Sequence, residues 1–496
     1  MKTRSTLIAL MVVSHFSLYA EETKEEYQKV DLSAFLQHFY QNPVEVMDKL
    51  PPKTKRLAPL FDQNSQSENE FIVQKDQYRQ RFLKLEGRAG IRSNDRAENL
   101  VDNRSTMLRS LGDIEAKNLT SANLPKTPWS DDYWAMSKGV LGARFADRSF
   151  PNTHNWLSNY EYAQKNPAEN YVLENRIALL SPSEKYDLLV GDKNMTLTKA
   201  MWNEGKYYYD RFGKVESWMG ICDGWAAASI MQNRPEKSIV VKDITGELEI
   251  PFNPSEMKSL ASLMWTKGRY NSNFIGGRCN EKEPKKDPAN GRVLDQECFD
   301  TNPGTWHLAI VNQIGIAQRS MVMDATFDYE VWNHPVYGYS YRYFNPQTGS
   351  TAESFTAAQI DMDAFKRDQF SKYRDPRATK IVGVEMRVEY MTETAPSIRK
   401  TDAERYDAIN SVTYRYDLEL DDNGVIIGGE WYGNAHPDFI WVPVPGEKIR
   451  TAFDRALTGT TLEQKLNGAA RFAPQSSASG LPLPGIVESL IELSRE

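Results

Sequence analysis

Two periods of hydrophobic residues run along this chain, in different parts of it. Val384, Met386, Val388 and Tyr390 alternate with Glu385, Arg387 and Glu389, as in a strand with one buried and one wet face. Val412, Tyr414, Tyr416, Leu418 and Leu420 alternate in the same way with Thr413, Arg415, Asp417 and Glu419. Asp421-Asp422-Asn423-Gly424 follows, and its Asn-Gly accepts positive φ, so a hairpin into Val425-Ile426-Ile427 is predicted. Helical spacing appears earlier. Asp31 can cap a helix carrying Leu32, Phe35, Leu36, Phe39 and Tyr40, which Pro51-Pro52 ends. A charged helix over 70–87 follows the loop at 63–67, so 21–120 reads as a helical N-terminal region. Residues 118–128 read as a linker and set a domain boundary.

The middle of the chain mixes both signals. A helix is expected from Cys222 through Trp225, Ala226, Ala227, Ala228, Ile230 and Met231, and two apolar β stretches at 307–317 and 320–327. Residues after 451 read as a helix, a Ser/Gly/Pro linker and a short amphipathic tail. The fold class is therefore α+β, an antiparallel sheet with helices, and no internal repeat is visible. The divisions expected are 1–20, 21–120, 125–450 and 451–496.

The first twenty residues change the setting. Lys2 and Arg4 precede Leu7-Ile8-Ala9-Leu10-Met11-Val12-Val13, and Leu18-Tyr19-Ala20 precedes Glu21-Glu22. A basic start, a short apolar run and a small residue before a polar sequence describe a secretory signal peptide. The run is well short of the roughly 20 residues that span a bilayer, and no Cys follows it for lipid attachment. The mature chain is expected to begin near Glu21, free of the membrane, as a secreted or periplasmic protein. The full sequence of 496 residues suits two to four domains. A net charge of −7 without a Lys/Arg block argues against nucleic acid as a partner.

Export makes the three cysteines informative, because thiols pair in oxidising compartments. Cys279 and Cys298 flank a polar segment that reads as a surface loop closed by a disulfide, contributing about 3 kcal/mol in the loop-entropy picture. Cys222 is left over. In Gly220-Ile221-Cys222-Asp223-Gly224-Trp225 it stands at a predicted helix start, where free N–H groups and the helix dipole favour thiolate and can serve a tetrahedral oxyanion. A buried inert thiol on a small-residue helix fits that segment equally well.

A thiol nucleophile needs a base. The mature chain holds His38, His154, His307, His334 and His436. His307 opens the first apolar β stretch, which suits a general base, although a core histidine is the more common reading of such a position. Asp324 is a lone carboxylate in the second, costly to bury unless paired. A hairpin turning near Gly315 sets Asp324 opposite His307, and a turn at Gln318-Arg319-Ser320 offsets them. His436 with Asp438 and Glu430 resembles a metal set, but Trp431, Phe439 and Trp441 around it favour a packed β motif. Asp421-Asp422-Asn423 lacks the later carboxylate of a calcium loop. Trp218 is either a wall beside Cys222 or, the favoured reading, core.

These residues together resemble the transglutaminase-elicitor family of plant-pathogenic oomycetes and bacteria. The likeness covers the Cys222 segment, the His307 stretch, Asp324, and Val331-Trp332-Asn333-His334-Pro335-Val336-Tyr337-Gly338-Tyr339, which is similar to the family's V-W-N-Q-P-V-R-G-F with His334, Tyr337 and Tyr339 as replacements. It extends to Gly428-Gly429-Glu430-Trp431, to His436-Pro437-Asp438-Phe439-Ile440-Trp441, and more loosely to Pro128-Trp129-Ser130-Asp131-Asp132-Tyr133-Trp134. The resemblance implies a papain-like thiol core and a protein-glutamine γ-glutamyltransferase, with Cys222 as nucleophile, His307 as base and Asp324 orienting it. Its partners would be proteins with accessible Gln and Lys, or small amines. No cofactor is implied by a clear site, and calcium dependence stays open. The region before 120 lies outside the likeness and reads as a pro-segment or a packing domain. The same triad also suits a papain-like peptidase or amidase, and a binding protein with a degenerate core is the reading from another class.

Overall fold

The computed structural model describes residues 95–276, 285–294, 301–324, 331–433 and 436–496. The signal peptide, the helices expected before residue 95, and both Cys279 and Cys298 lie outside them. The described part mixes helices with an antiparallel sheet.

The strands are β1 (Ser121–Asn123), β2 (Ile239–Lys242), β3 (Glu249–Phe252), β4 (Ser272–Gly276), β5 (Val322–Asp324), β6 (Asn333–Phe344), β7 (Thr351–Ala352), β8 (Ile360–Asp361), β9 (Lys380–Thr392), β10 (Ala408–Leu420), β11 (Ile426–Gly428) and β12 (Phe439–Pro443). The large sheet runs β11-β10-β9-β6-β5-β12-β4, and β2 with β3 forms a separate hairpin. The alternating segments form β9 and β10 as expected, paired antiparallel from Ala408↔Thr392 to Leu420↔Lys380. The turn into β11 also forms, with Gly424 at φ +74° and the Asp421 carboxylate accepting from Asn423 N and Val425 N at 2.9 Å.

β6 is the spine. Along one edge it pairs with β9, and along the other with β5, β1 and β7 in turn. An extra residue between Val336 and Gly338 breaks the register with β9, and such a bulge re-aims the side chains on its two sides.

The segment 118–128, expected to be a linker, contributes β1, with Ser121↔Ser340 and Asn123↔Gly338. Leu124 N also donates to Tyr337 O at 3.0 Å. Short edge strands bond through the backbone, so Ser-Ala-Asn carries no side-chain pattern to read. Ala97, Leu100, Leu111 and Ile114 fill the same core as the sheet, so the described chain ahead of β1 joins the sheet.

The helices that matter here are α1 (Pro182–Leu189), α2 (Thr196–Phe212), α3 (Cys222–Met231), α4 (Pro254–Lys267), α5 (Pro303–Ile310), α6 (Leu462–Ser477) and α7 (Pro484–Leu493). A first hydrophobic core gathers α1 to α4 with α6 and α7, and a second lies between the sheet, α5 and the residues before β1. The C-terminal linker and tail expected after 451 are part of a packed pair. Leu466, Ala469 and Ala473 of α6 and Ile486, Val487 and Leu490 of α7 are buried in the first core.

α3 is buried from Cys222 through Ser229, as a helix apolar all round must be. It meets α4 closely: a Cβ on Gly224 would stand 2.0 Å from Thr266 Oγ1 and 2.1 Å from Ser262 O. α4 itself starts with Asn253 and Glu256 capping reciprocally, and buried Glu256 also takes Lys185 Nζ at 2.5 Å. The far side of the sheet is fastened by Arg374, whose buried guanidinium grips Asp417 at 2.6 Å and Asp368 at 2.9 Å.

The stretch 307–317 is helical, which corrects the strand expected there. Asn302 caps α5 by accepting from Gly304 N, and Pro303 opens it. The chain continues in a wide π turn over Val311–Ile316. There the Asn312 amide accepts from Leu108 N at 2.7 Å, and Gln313 Nε2 donates to Asp102 at 2.9 Å. A short apolar run cannot be told from a buried helix by its pattern, and the Asn-Pro start was the signal that decides it.

Gly224→Ala should lower stability by about 1–3 kcal/mol through forced separation of α3 and α4, read as a lower urea midpoint at unchanged m-value. Gly433→Ala, with nothing within 4 Å of its Cβ position, should stay within about 0.5 kcal/mol of the parent.

Candidate functional site

Cys222 is the first residue of α3, and the approach to it is tightly held. Ile221 N donates to Tyr133 O at 2.7 Å. A Cβ on Gly220 would meet that same oxygen at 2.3 Å, so glycine is what lets the two segments touch. Trp225, one turn along, donates its indole N–H to Trp129 O at 2.9 Å. The expected helix start is therefore real, and the loosely matching 128–134 segment frames it.

The thiol is 6% exposed and fully engaged. Its Sγ donates to Val331 O at 3.7 Å and accepts from Asn333 Nδ2 at 3.6 Å. The Asn333 Oδ1 in turn accepts from Trp441 Nε1 at 2.8 Å. Asn333 stands opposite Asp324 in the β5–β6 pair, and buried Asp324 accepts from Trp332 N at 2.9 Å. Burial pushes the Cys222 thiol up to about 12, and the Asp223 carboxylate adds to that. The backbone and side-chain N–H groups of Asn333 oppose the shift. The group at rest is a protonated thiol.

Four segments converge around it. Thr394 N donates to Asp131 O at 2.9 Å, which sets Glu393 beside 131–133. His334 Nδ1 lies 2.9 Å from Met391 O. A carbonyl only accepts, so Nδ1 carries the hydrogen and the lone pair is on Nε2. Glu393 is 3.8 Å from that ring, and the ring also meets Tyr390 and the edge of Trp225 at 5.1 and 6.2 Å between centroids. Burial lowers His334 to about 4, the Met391 carbonyl opposing, so its imidazole is neutral at pH 7. Half-buried Tyr133 and Trp332 pack together at 5.4 Å. Burial raises Asp131 to about 8, against the pull of Lys258.

His307 is elsewhere. Its Nδ1 bonds the Tyr416 hydroxyl at 2.8 Å, and its ring packs on Tyr341 at 4.8 Å. Tyr341 is eight residues along β6 from Asn333, roughly 25 Å at about 3.3 Å per residue. The hydrogen bonds of Cys222 reach Val331 and Asn333, and those of His307 reach Tyr416. The expected Cys222–His307 contact is not made, because 307–317 is a helix feeding the second core and not a strand beside β5. Asp324 is in a buried strand as expected, but its cross-strand partner is Asn333. Asn333, Trp441, Glu393 and Tyr133 were not singled out in the sequence as site residues. A lone amide inside Val331-Trp332-Asn333-His334-Pro335 was the only signal.

The other candidates settle into packing. His436 stacks on Trp431 at 4.7 Å, and among the described residues no three metal-ligating side chains are grouped to hold an ion. Trp218 is buried in the first core. A cavity of about 30 Å³ between Ser130, Asp131, Lys258 and Asp402 does not include Cys222 in its lining.

The transglutaminase elicitor family model matches residues 106–470, a span that contains the whole Cys222 neighbourhood. The chain belongs to the transglutaminase elicitor family. A crystal structure of the GP42 transglutaminase from Phytophthora sojae is similar, with a TM-score of 0.48 and 21% sequence identity over 75% of this chain and 94% of that one. Among curated proteins none matches.

The thiol's state can be read directly. Iodoacetamide should label Cys222 slowly at pH 7, with the rate rising about tenfold per pH unit up to pH 10, since only thiolate reacts. A flat profile above pH 8 would place the thiol in an ionised state that this environment does not support. Asp131 gives a second test. Its folded value lies above the ordinary 3.8, so its contribution to stability is full below about pH 4 and is lost as pH rises toward 8. Asp131→Asn stays neutral, so its urea midpoint should gain on the parent's between pH 5 and pH 8.

Proposed function

We propose that this protein is a protein-glutamine γ-glutamyltransferase, joining protein glutamine to lysine or a small primary amine through a thioester on Cys222. The observation that carries this reading is a thiol at a helix start, held between Val331 O and the Asn333 amide, within the span shared with the family. The helix N-terminus laid against the β5–β6 pair also supports a papain-like core. The basic and apolar start of the chain supports export, to the periplasm or beyond.

Acyl transfer runs in two halves. Cys222 gives up its proton and attacks the γ-carboxamide carbon, forming a C–S bond. The tetrahedral adduct collapses, and ammonia leaves with a proton from the conjugate acid of the base. The amine then attacks the thioester and loses its proton to the base, and the thiol is regenerated. Water in place of the amine gives deamidation.

The base assigned by family likeness was His307. Its bond to Tyr416 and its place at the other end of β6 hold it away from the thiol, so in this reading another base takes the proton. His334, neutral with its lone pair on Nε2, neighbours the residue that bonds the thiol but points to the other side of β6. Asp324 then serves by gripping Trp332 N and so fixing the segment that faces the thiol.

Incubation with a glutamine-bearing protein and a labelled amine should incorporate the amine and release equal ammonia, and Cys222→Ala should abolish both. New peptide N-termini without incorporation would mean a peptidase. Unchanged incorporation by Cys222→Ala would sink the proposal.

A further inference from the structure

Trp441 decides which way the Asn333 side chain faces. An indole N–H is a donor only, so the atom 2.8 Å from Trp441 Nε1 must be the amide oxygen. The amide nitrogen is thereby forced toward Cys222 Sγ, at 3.6 Å. Amide orientation is ordinarily ambiguous, but here a partner that cannot accept fixes it. Both residues are buried, Asn333 at 2% and Trp441 fully, and β12 carries Trp441 into place through its pairing with β5 at Trp441↔Val322. A rigid, preoriented N–H donor therefore points at the reacting atom before any substrate arrives.

We infer that Asn333 is a catalytic donor for Cys222, with its side-chain N–H serving first the sulfur and then the oxyanion of the acyl adduct, and that Trp441 is the residue that positions it. The inference rests on acyl transfer at Cys222 and adds the group that stabilises its charge. When the thiol ionises, the Asn333 N–H faces the new negative charge. When the C–S bond forms, the carbonyl π pair moves onto oxygen and sulfur becomes neutral. The donor then has an oxyanion on the carbon bonded to that sulfur, and the helix-start N–H groups lie alongside. Collapse re-forms the C=O bond and expels ammonia. Donors fixed ahead of charge development are the most effective kind, because nothing must reorganise as the charge appears.

The test uses Asn333→Ala, Asn333→Asp and Trp441→Phe in the full chain. Cys222 alkylation by iodoacetamide is followed from pH 6 to pH 10 by intact mass, alongside steady-state amine transfer. Asn333→Ala should alkylate about tenfold more slowly than the parent at each pH and lose about a hundredfold in kcat with KM little changed. Asn333→Asp keeps the shape but places a carboxylate at the sulfur, and should alkylate more slowly still. Trp441→Phe frees the amide to turn, so both effects should appear in weaker form. It also stands in if the Asn333 variants fail to fold. A parent alkylation profile together with a parent kcat in Asn333→Ala, or in Trp441→Phe where that variant stands in, overturns the inference. If no form transfers an amine but the alkylation shift is seen, the transferase reading fails while the Asn333–sulfur contact is upheld.

Discussion

The antiparallel pairing of β6 on both of its edges is the constraint on which the rest of the structure depends. β9 fixes one edge from Val336 to Phe344, and β5, β1 and β7 divide the other. With both edges bonded, the strand cannot slide, and sliding by one residue would exchange its two faces. Its first residues lie against α3 and the first core, and its last residues are filled with tyrosines in the second. The bulge after Val336 makes this possible, since it re-aims the strand between two cores that need different faces.

That arrangement explains why the region around Cys222 is dense in buried polar groups. An amide, an imidazole, carboxylates and a thiol are brought together by strand ends and a helix start, where backbone groups lack ladder partners. Asp324 takes Trp332 N, Met391 O takes the His334 ring, and Tyr133 O takes Ile221 N. Each bond removes one of the unpaired buried groups that would otherwise oppose folding. The same burial holds the thiol protonated. A site so dry costs ionisation at rest, and it strengthens any N–H donor already aimed at developing charge.

The parts of this fold that were legible in the sequence share a one-sided exposure. β9 and the first half of β10 alternate because one face meets the core and the other turns outward, as at the exposed Arg342–Glu385 pair, while Asp417 and Glu419 farther along β10 are covered by Arg374. α3 was legible through its alanines, despite having no polar face. α5 has no polar face either, and its β-branched and aromatic residues read equally well as a strand. β1 was invisible because edge pairing asks little of side chains, and the π turn with its Asn312 and Gln313 clasps depends on partners more than two hundred residues away. Of the candidate site, the odd cysteine and the lone buried carboxylate of Asp324 could be read locally. The partner of each could not.

His307 and His334 show why residue order alone misleads in such a site. Cys222, His307 and Asp324 follow one another in the order of the expected triad, and two of the three stand near each other. The third belongs to a helix whose imidazole the Tyr416 hydroxyl holds in the second core. What selects the groups that face the thiol is the register Asp324↔Asn333 and Met323↔His334. A shift of one residue would present His334 to the sulfur in place of Asn333, and would leave the Trp441 indole with no amide oxygen to bond. The Trp441–Asn333 bond and the Trp332–Asp324 bond both resist that shift. The polar contacts that give the site its chemistry are thus also the contacts that fix the register placing it.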